Sequence, residues 1–217
     1  MANDQILSRR NVLKWSGAAA TIVVAGAVLP NFGISAALAA DLGEGDVGVL
    51  NYAYALEQLE AAFYSQVLET PYAGISADEQ TILTAIRDHE IAHRAFLKKA
   101  LGKDAIPDLE VNFAKINFKS RKSVLGTADV FENLGVAAYN GAGKLIKKVD
   151  YLAAAGSIVS VEARHAAAIA ELLHGASAAA AGAGHVDGKG LDGALSPKQV
   201  LPKAATFIKT PVTAMSL

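Results

Sequence analysis

His89-Glu90-Ile91-Ala92-His93 and, 72 residues on, Val161-Glu162-Ala163-Arg164-His165 each set a Glu-x-x-His pair inside an apolar helical pattern, and this doubling decides the fold. Residues three apart share one face of a helix. At steps of three and four, the first segment gives Leu83, Ile86, Glu90, His93 and Leu97. The second gives Ala155, Ile158, Glu162, His165 and Ile169. Each stripe is apolar except at its middle, where core positions hold a carboxylate and an imidazole.

The stretch ahead of each pair repeats too. Leu56-Glu57-Gln58-Leu59 followed by Tyr64 matches Phe131-Glu132-Asn133-Leu134 followed by Tyr139, 75 residues apart. Their stripes are Leu50, Ala53, Glu57, Glu60, Tyr64, Val67 and Ala128, Glu132, Gly135, Tyr139, Ala142, Ile146. The second half of the chain restates the first, as two helix hairpins with approximate two-fold symmetry. The expected fold is an all-α, up-down four-helix bundle over about residues 46–175, with a long crossover between helices 2 and 3.

Helix 1 should run from Asp46, as N-cap, to Glu69 before Pro71. Helix 2 opens on the capping box Ser76-x-x-Glu79 and ends at Leu101 before Gly102. Residues 103–125 contain Pro107, lack a strong period and read as the crossover. Helix 3 is expected from near Thr127 to about Ile146. Helix 4 should run from Asp150, as cap, to His174 before Gly175. Residues 176–195 are an Ala/Gly-rich linker. Ser196-Pro197 then opens a short C-terminal helix within 196–208.

Composition agrees with this reading. Of 217 residues 52% are apolar and only 6% aromatic, which suits helices packed through small side chains. The 20 Lys+Arg against 21 Asp+Glu leave a net charge of −1, no footprint for nucleic acid. No cysteine is present, so disulfides, iron–sulfur clusters and a thiol nucleophile are excluded. Ser8-Arg9-Arg10-Asn11-Val12-Leu13-Lys14 precedes an apolar run, Gly17 to Leu29, and then Ala37-Leu38-Ala39, a small-x-small cleavage pattern. Residues 1–39 thus read as a signal peptide and 40–217 as the mature domain. The Arg9-Arg10 pair resembles the twin-arginine export signal, with valine where phenylalanine is commoner. The expected partner is the twin-arginine export machinery, and the expected location is periplasmic or secreted. The apolar run is short for a span, so no stable membrane span is expected after cleavage.

The polar layer points to metal. An isolated buried carboxylate takes up a proton instead of staying charged. Four of them, Glu57, Glu90, Glu132 and Glu162, share one layer with His93 and His165, and no lysine or arginine lies on the same stripes. Two divalent cations would balance the four charges. Carboxylate plus imidazole without thiolate suits iron or manganese. Glu60 lacks a counterpart, since Gly135 takes its place; it is a candidate extra ligand or an outward-leaning acid. Tyr64 and Tyr139 pack in the core with satisfied hydroxyls, or bond the carboxylates and carry a redox role. His89 lies one residue off the stripe and acts beside the ligands or at a helix contact. His174 and His185 should be exposed, and Lys98, Lys99, Lys147 and Lys148 should be solvated helix ends.

Ala55-Leu56-Glu57-Gln58-Leu59-Glu60 through Tyr64, the two Glu-x-x-His segments and Glu132 through Tyr139 resemble the exported ferritin-like domain family, which is related to plant desiccation-associated proteins. The tail Leu195-Ser196-Pro197-Lys198-Gln199-Val200-Leu201, with Phe207-Ile208, is similar to that family too. The resemblance covers roughly residues 46–208 and implies a ferritin-like bundle around a dinuclear iron or manganese centre. Open positions on such a pair would suit oxidising or peroxide-handling chemistry, an expectation from the metal and not from the resemblance.

Three other readings compete. A non-catalytic stress- or desiccation-protective protein could keep the same fold. Iron storage would need a multi-subunit shell, one form that a homo-oligomer could take. His89-x-x-x-His93 around Glu90 is also the HExxH zinc-protease signature, with Glu90 as general base. It lacks a downstream His-x-x-Gly-x-x-His, sits in a helix pair and leaves the second Glu-x-x-His unexplained.

Overall fold

A computed structural model describes residues 39–214 and 217. Arg9, Arg10 and nearly all of the expected export signal lie outside the described residues. The elements are β1 (Ala40–Asp41), α1 (Gly45–Glu69), α2 (Ala77–Leu101), α3 (Arg121–Gly143), α4 (Val149–His174), α5 (Ala176–Ala180), α6 (Pro197–Ala204) and β2 (Val212–Thr213), with short 3-10 turns between some of them. The fold is the expected all-α, ferritin-like four-helix bundle. α1 pairs with α2 and α3 with α4; lighter α1–α3 and α2–α4 faces complete it.

The predicted stripes are the core. Leu50, Tyr64, Val67, Leu83, Leu97, Ala128 and Ile169 are all buried. Phe63 meets Tyr64, Phe113 and Phe131 edge-on, so the crossover closes one end of the bundle with aromatic rings. An irregular segment against a core must find partners for its backbone polar groups. Asn51 and Gln58, seven apart on α1, supply them. The Asn51 amide donates to Leu42 O (3.1 Å) and Asp104 O (2.9 Å), while its oxygen accepts from Ile106 N (2.9 Å). The Gln58 oxygen accepts from Leu109 N (2.7 Å).

Several boundaries move. Asp46 is not the N-cap of α1; Glu44 is, without a side-chain bond. Asp46 instead reaches across the fold, and its carboxylate accepts from Lys147 N (2.7 Å) and Lys148 N (3.0 Å) at the start of α4. Asp150 is correspondingly not the cap of α4 but lies in its first turn. α3 begins at Arg121, six residues ahead of Thr127, because Ser120 caps it by accepting from Ser123 N. It stops at Gly143, short of Ile146, where Leu145 N→Ala142 O and Ile146 N→Gly143 O form tight turns. The 176–195 segment is not wholly loop, since its alanines form the one-turn α5. A parallel two-residue pair, Ala40 with Val212 and Asp41 with Thr213, joins the two ends of the domain.

Candidate metal centre

Each of the four long helices delivers one carboxyl group to the middle of the bundle. Glu57 comes from α1, Glu90 from α2, Glu132 from α3 and Glu162 from α4, all four fully buried. Glu90 and His93 share a face of α2, as Glu162 and His165 do on α4, so both rings turn into the same layer. His93 Nδ1 lies 3.2 Å from Glu162, 3.3 Å from Glu57 and 3.6 Å from Glu90. His165 Nδ1 lies 2.8 Å from Glu90 and 3.3 Å from Glu132.

Two overlapping groups result: Glu57, Glu90, His93 and Glu162, and Glu132, Glu162, His165 and Glu90, each with ligand atoms within 4.8 Å of one another. The internal repeat converts one group into the other residue by residue, and Glu90 and Glu162 belong to both. Eight buried atoms of this layer make no aligned hydrogen bond, although the imidazole nitrogens lie close to carboxylate oxygens: both oxygens of Glu90 and of Glu162, one oxygen each of Glu57 and Glu132, and Nδ1 of His93 and of His165. Buried polar atoms are ordinarily satisfied. A shared excess of acceptors, without donors to match, aimed at one small volume fits cations there.

The remaining oxygens are accounted for. Tyr64 on α1 donates to Glu132 Oε1, and Tyr139 on α3 donates to Glu57 Oε1, each at 2.5 Å. The two hydroxyls cross between hairpins, so each tyrosine is packed in the core and also fixes a carboxylate. Burial, together with the facing glutamates, raises both phenols well above their usual value.

Charge follows from burial and crowding. Burial, and then the charge of Glu57, holds Glu90 and Glu162 well above the usual carboxylate range, with Glu132 adding to both and Glu90 to Glu162. Burial works against a charged His93, yet the carboxylates of Glu162, Glu57 and Glu90 outweigh it and push the imidazole up to about 12. A cation would do the same work as those protons, and the two compete for one set of lone pairs.

Glu60 is buried but belongs to neither four-residue group. Burial and the four other glutamates raise it well above the usual range, which favours its protonated form beside the layer. Gly135 explains its room: a Cβ there would come within 2.9 Å of Glu162 Oε2 and 3.2 Å of Glu60 Oε1. The sequence marks this clearance as a glycine on the stripe between Glu132 and Tyr139.

His89 is exposed and stacks on His165 with centroids 5.2 Å apart, its Nδ1 2.9 Å from His165 Nε2. It is absent from both ligand groups, which separates the two histidines of the HExxH signature and counts against a zinc-protease site. Burial and the neighbouring His165 and His93 lower its pKa. His174 and His185 are exposed, as expected.

No helix among the described residues is long and apolar enough to cross a membrane. No curated protein matches the chain. A family model described as a ferritin-like domain matches residues 45–175, the span that carries all four long helices and every member of the buried layer. The chain belongs to the ferritin-like domain family.

Proposed function

We propose that the chain binds two ions of iron or manganese in the Glu/His layer and carries out oxidising or peroxide-handling chemistry outside the cytoplasm. The observation that carries this reading is the set of eight buried atoms without an aligned hydrogen bond, divided into two equivalent groups by the internal repeat. Glu57 and His93 would hold one ion, Glu132 and His165 the other, with Glu90 and Glu162 shared. When bound, such a pair supplies electrons to an oxidant and positive charge to the oxygens it holds. The chain's own part is to keep Glu57 and Glu132 oriented through Tyr139 and Tyr64, and to keep a proton on Glu60 beside the layer. Export rests on the Arg9-Arg10 sequence and the Ala37-Leu38-Ala39 pattern.

Elemental analysis of protein purified from its native compartment tests the reading. Two iron or manganese ions per chain are expected, and Glu90→Ala with Glu162→Ala should remove both. Native protein free of metal would turn the assignment towards a non-catalytic protective protein on the same fold.

A further inference from the structure

The α2–α4 seam passes the Glu/His layer in both directions, and the repeat allows its halves to be compared. On the His165 side, His89 stacks on the ligand ring and bonds its remote nitrogen. The repeat places Val161 at the equivalent position on the His93 side, and an aliphatic side chain makes no such bond. An open groove lies there, walled by Ala92, Phe96, Ala154, Ser157 and Val161, with His93 in its lining. The groove offers about 450 Å³, open to solvent, and Phe96, Ala154 and Ile158 continue from it into a narrow cleft bounded by Tyr52, Leu97, Tyr139, Ile146 and Tyr151, whose cavity of about 30 Å³ has room for one small group such as the oxygen end of a chain lying in the groove. From Tyr151 to Val161 the seam follows α4 for about 15 Å at 1.5 Å per residue.

The chemistry of the walls is one-sided. Apart from His93, no charged side chain among the described residues lines the groove or the cleft. Phe96 leaves 50% of its surface exposed between the two. Tyr52 is only 1% exposed, yet its hydroxyl has no hydrogen-bond partner among the described residues. A buried donor without an acceptor is costly and is relieved by a ligand that brings one. Tyr139, on the same cleft, already donates to Glu57, so the cleft lies one hydrogen bond from the Glu/His layer. Apolar walls with one or two placed polar groups characterise small-molecule sites.

The geometry points to this groove and cleft as the binding site of a slender hydrocarbon chain carrying one uncharged oxygen acceptor, which Tyr52 would recognise while the chain passes beside His93. The length of the seam selects an elongated molecule over a compact one. The lack of charge disfavours sugars phosphates, amino acids and carboxylates at the buried end. Binding itself does not depend on metal; the role of that molecule as a substrate rests on the function proposed above.

Calorimetric titration of the full-length, metal-stripped protein with 1-nonanol tests the site. One nonanol should bind per chain. Ser157→Trp, at an exposed position on the groove wall, should weaken binding about tenfold or more by filling the groove. Ala85→Trp, at the repeat-related position on the His89 side, should leave it unchanged. Tyr52→Phe should weaken it about three- to tenfold through loss of one hydrogen bond. Absence of nonanol binding in the wild type, or equal effects of the two tryptophans, overturns the proposal. So does a wild-type dimer that Ser157→Trp makes monomeric without any nonanol binding, which would give the groove to a second copy. Metal content measured on parallel, unstripped samples keeps the two readings apart: lost nonanol binding with normal metal removes the groove alone, and absent metal with normal nonanol binding removes the centre alone.

Discussion

Tyr64 and Tyr139 tie the two hairpins together through single hydroxyls, each held by a carboxylate of the opposite hairpin. Tyr64→Phe leaves Glu132 Oε1 buried without its donor, which costs about 1–3 kcal/mol. Urea unfolding of the metal-stripped variant should show that loss with an unchanged m-value. Gly135 works by having no side chain. Gly135→Ala must push the Glu162 and Glu60 oxygens aside, and displacing groups around a ligand lowers metal affinity by about 10–100-fold. The control is Gly126→Ala on the same helix, where a Cβ would meet nothing within 4 Å. That change should leave metal binding alone and add about 0.5–1 kcal/mol of stability. Competition with a chelator reads both variants. At this scale the buried Glu/His layer was legible in the sequence, because a carboxylate or imidazole on a core stripe breaks an apolar period. His89 could be set beside the layer or at a helix contact, but its partner could not be named, since His165 comes from α4 and only packing brings the two rings together.

At the scale of elements, the long helices could be read because their caps and stripes are local. The capping box at Ser76 and Glu79 forms as written in the sequence. The errors come from interactions with distant partners. Asp46 looks like an N-cap, but its acceptors serve backbone amides 101 and 102 residues away. Asp46→Ala should therefore fray the start of α4 as well as disturb α1. A loss of about 1 kcal/mol is expected, typical of a lost cap, and amide exchange should speed up at Lys147 and Lys148. The first turns of α3 were hidden because Ser120-Arg121-Lys122-Ser123 carries little periodicity, although Val124 and Leu125 behind it are fully buried. The α5 turn lacks an amphipathic pattern, and alanine's helix propensity alone is a weak signal. Two-residue strands fall below any pattern that a sequence can show.

For the whole molecule, the Glu/His layer makes stability depend on pH in opposite ways with and without metal. Glu60, Glu90 and Glu162 are raised by burial and by repulsion from neighbouring glutamates, and His93 is pushed up to about 12 by its carboxylate neighbours. Both shifts mean that the folded state holds protons more tightly than the unfolded one. Their contribution is full below the unfolded values, ~4.3 for Glu and ~6.5 for His, and is lost as pH rises towards the folded ones. The metal-stripped protein should thus melt at lower temperature as pH goes from 5 to 8. Metal binds the deprotonated ligands, so the loaded protein should gain over the same range. The gap should reach about 3–4 kcal/mol with free metal at 100–1,000 times its dissociation constant. Melting curves that coincide at every pH would contradict this.

The joint between Ala40–Asp41 and Val212–Thr213 has a mechanical consequence. The strands are parallel, with Ala40 N bonded to Pro211 O and Leu42 N to Thr213 O. Tension applied between the domain's two ends draws β1 and β2 past each other lengthwise. The load then falls on the bridging bonds together, in shear, and not on one after another as in a peeled hairpin. The helices and the layer at their centre feel no force until that clasp has given way.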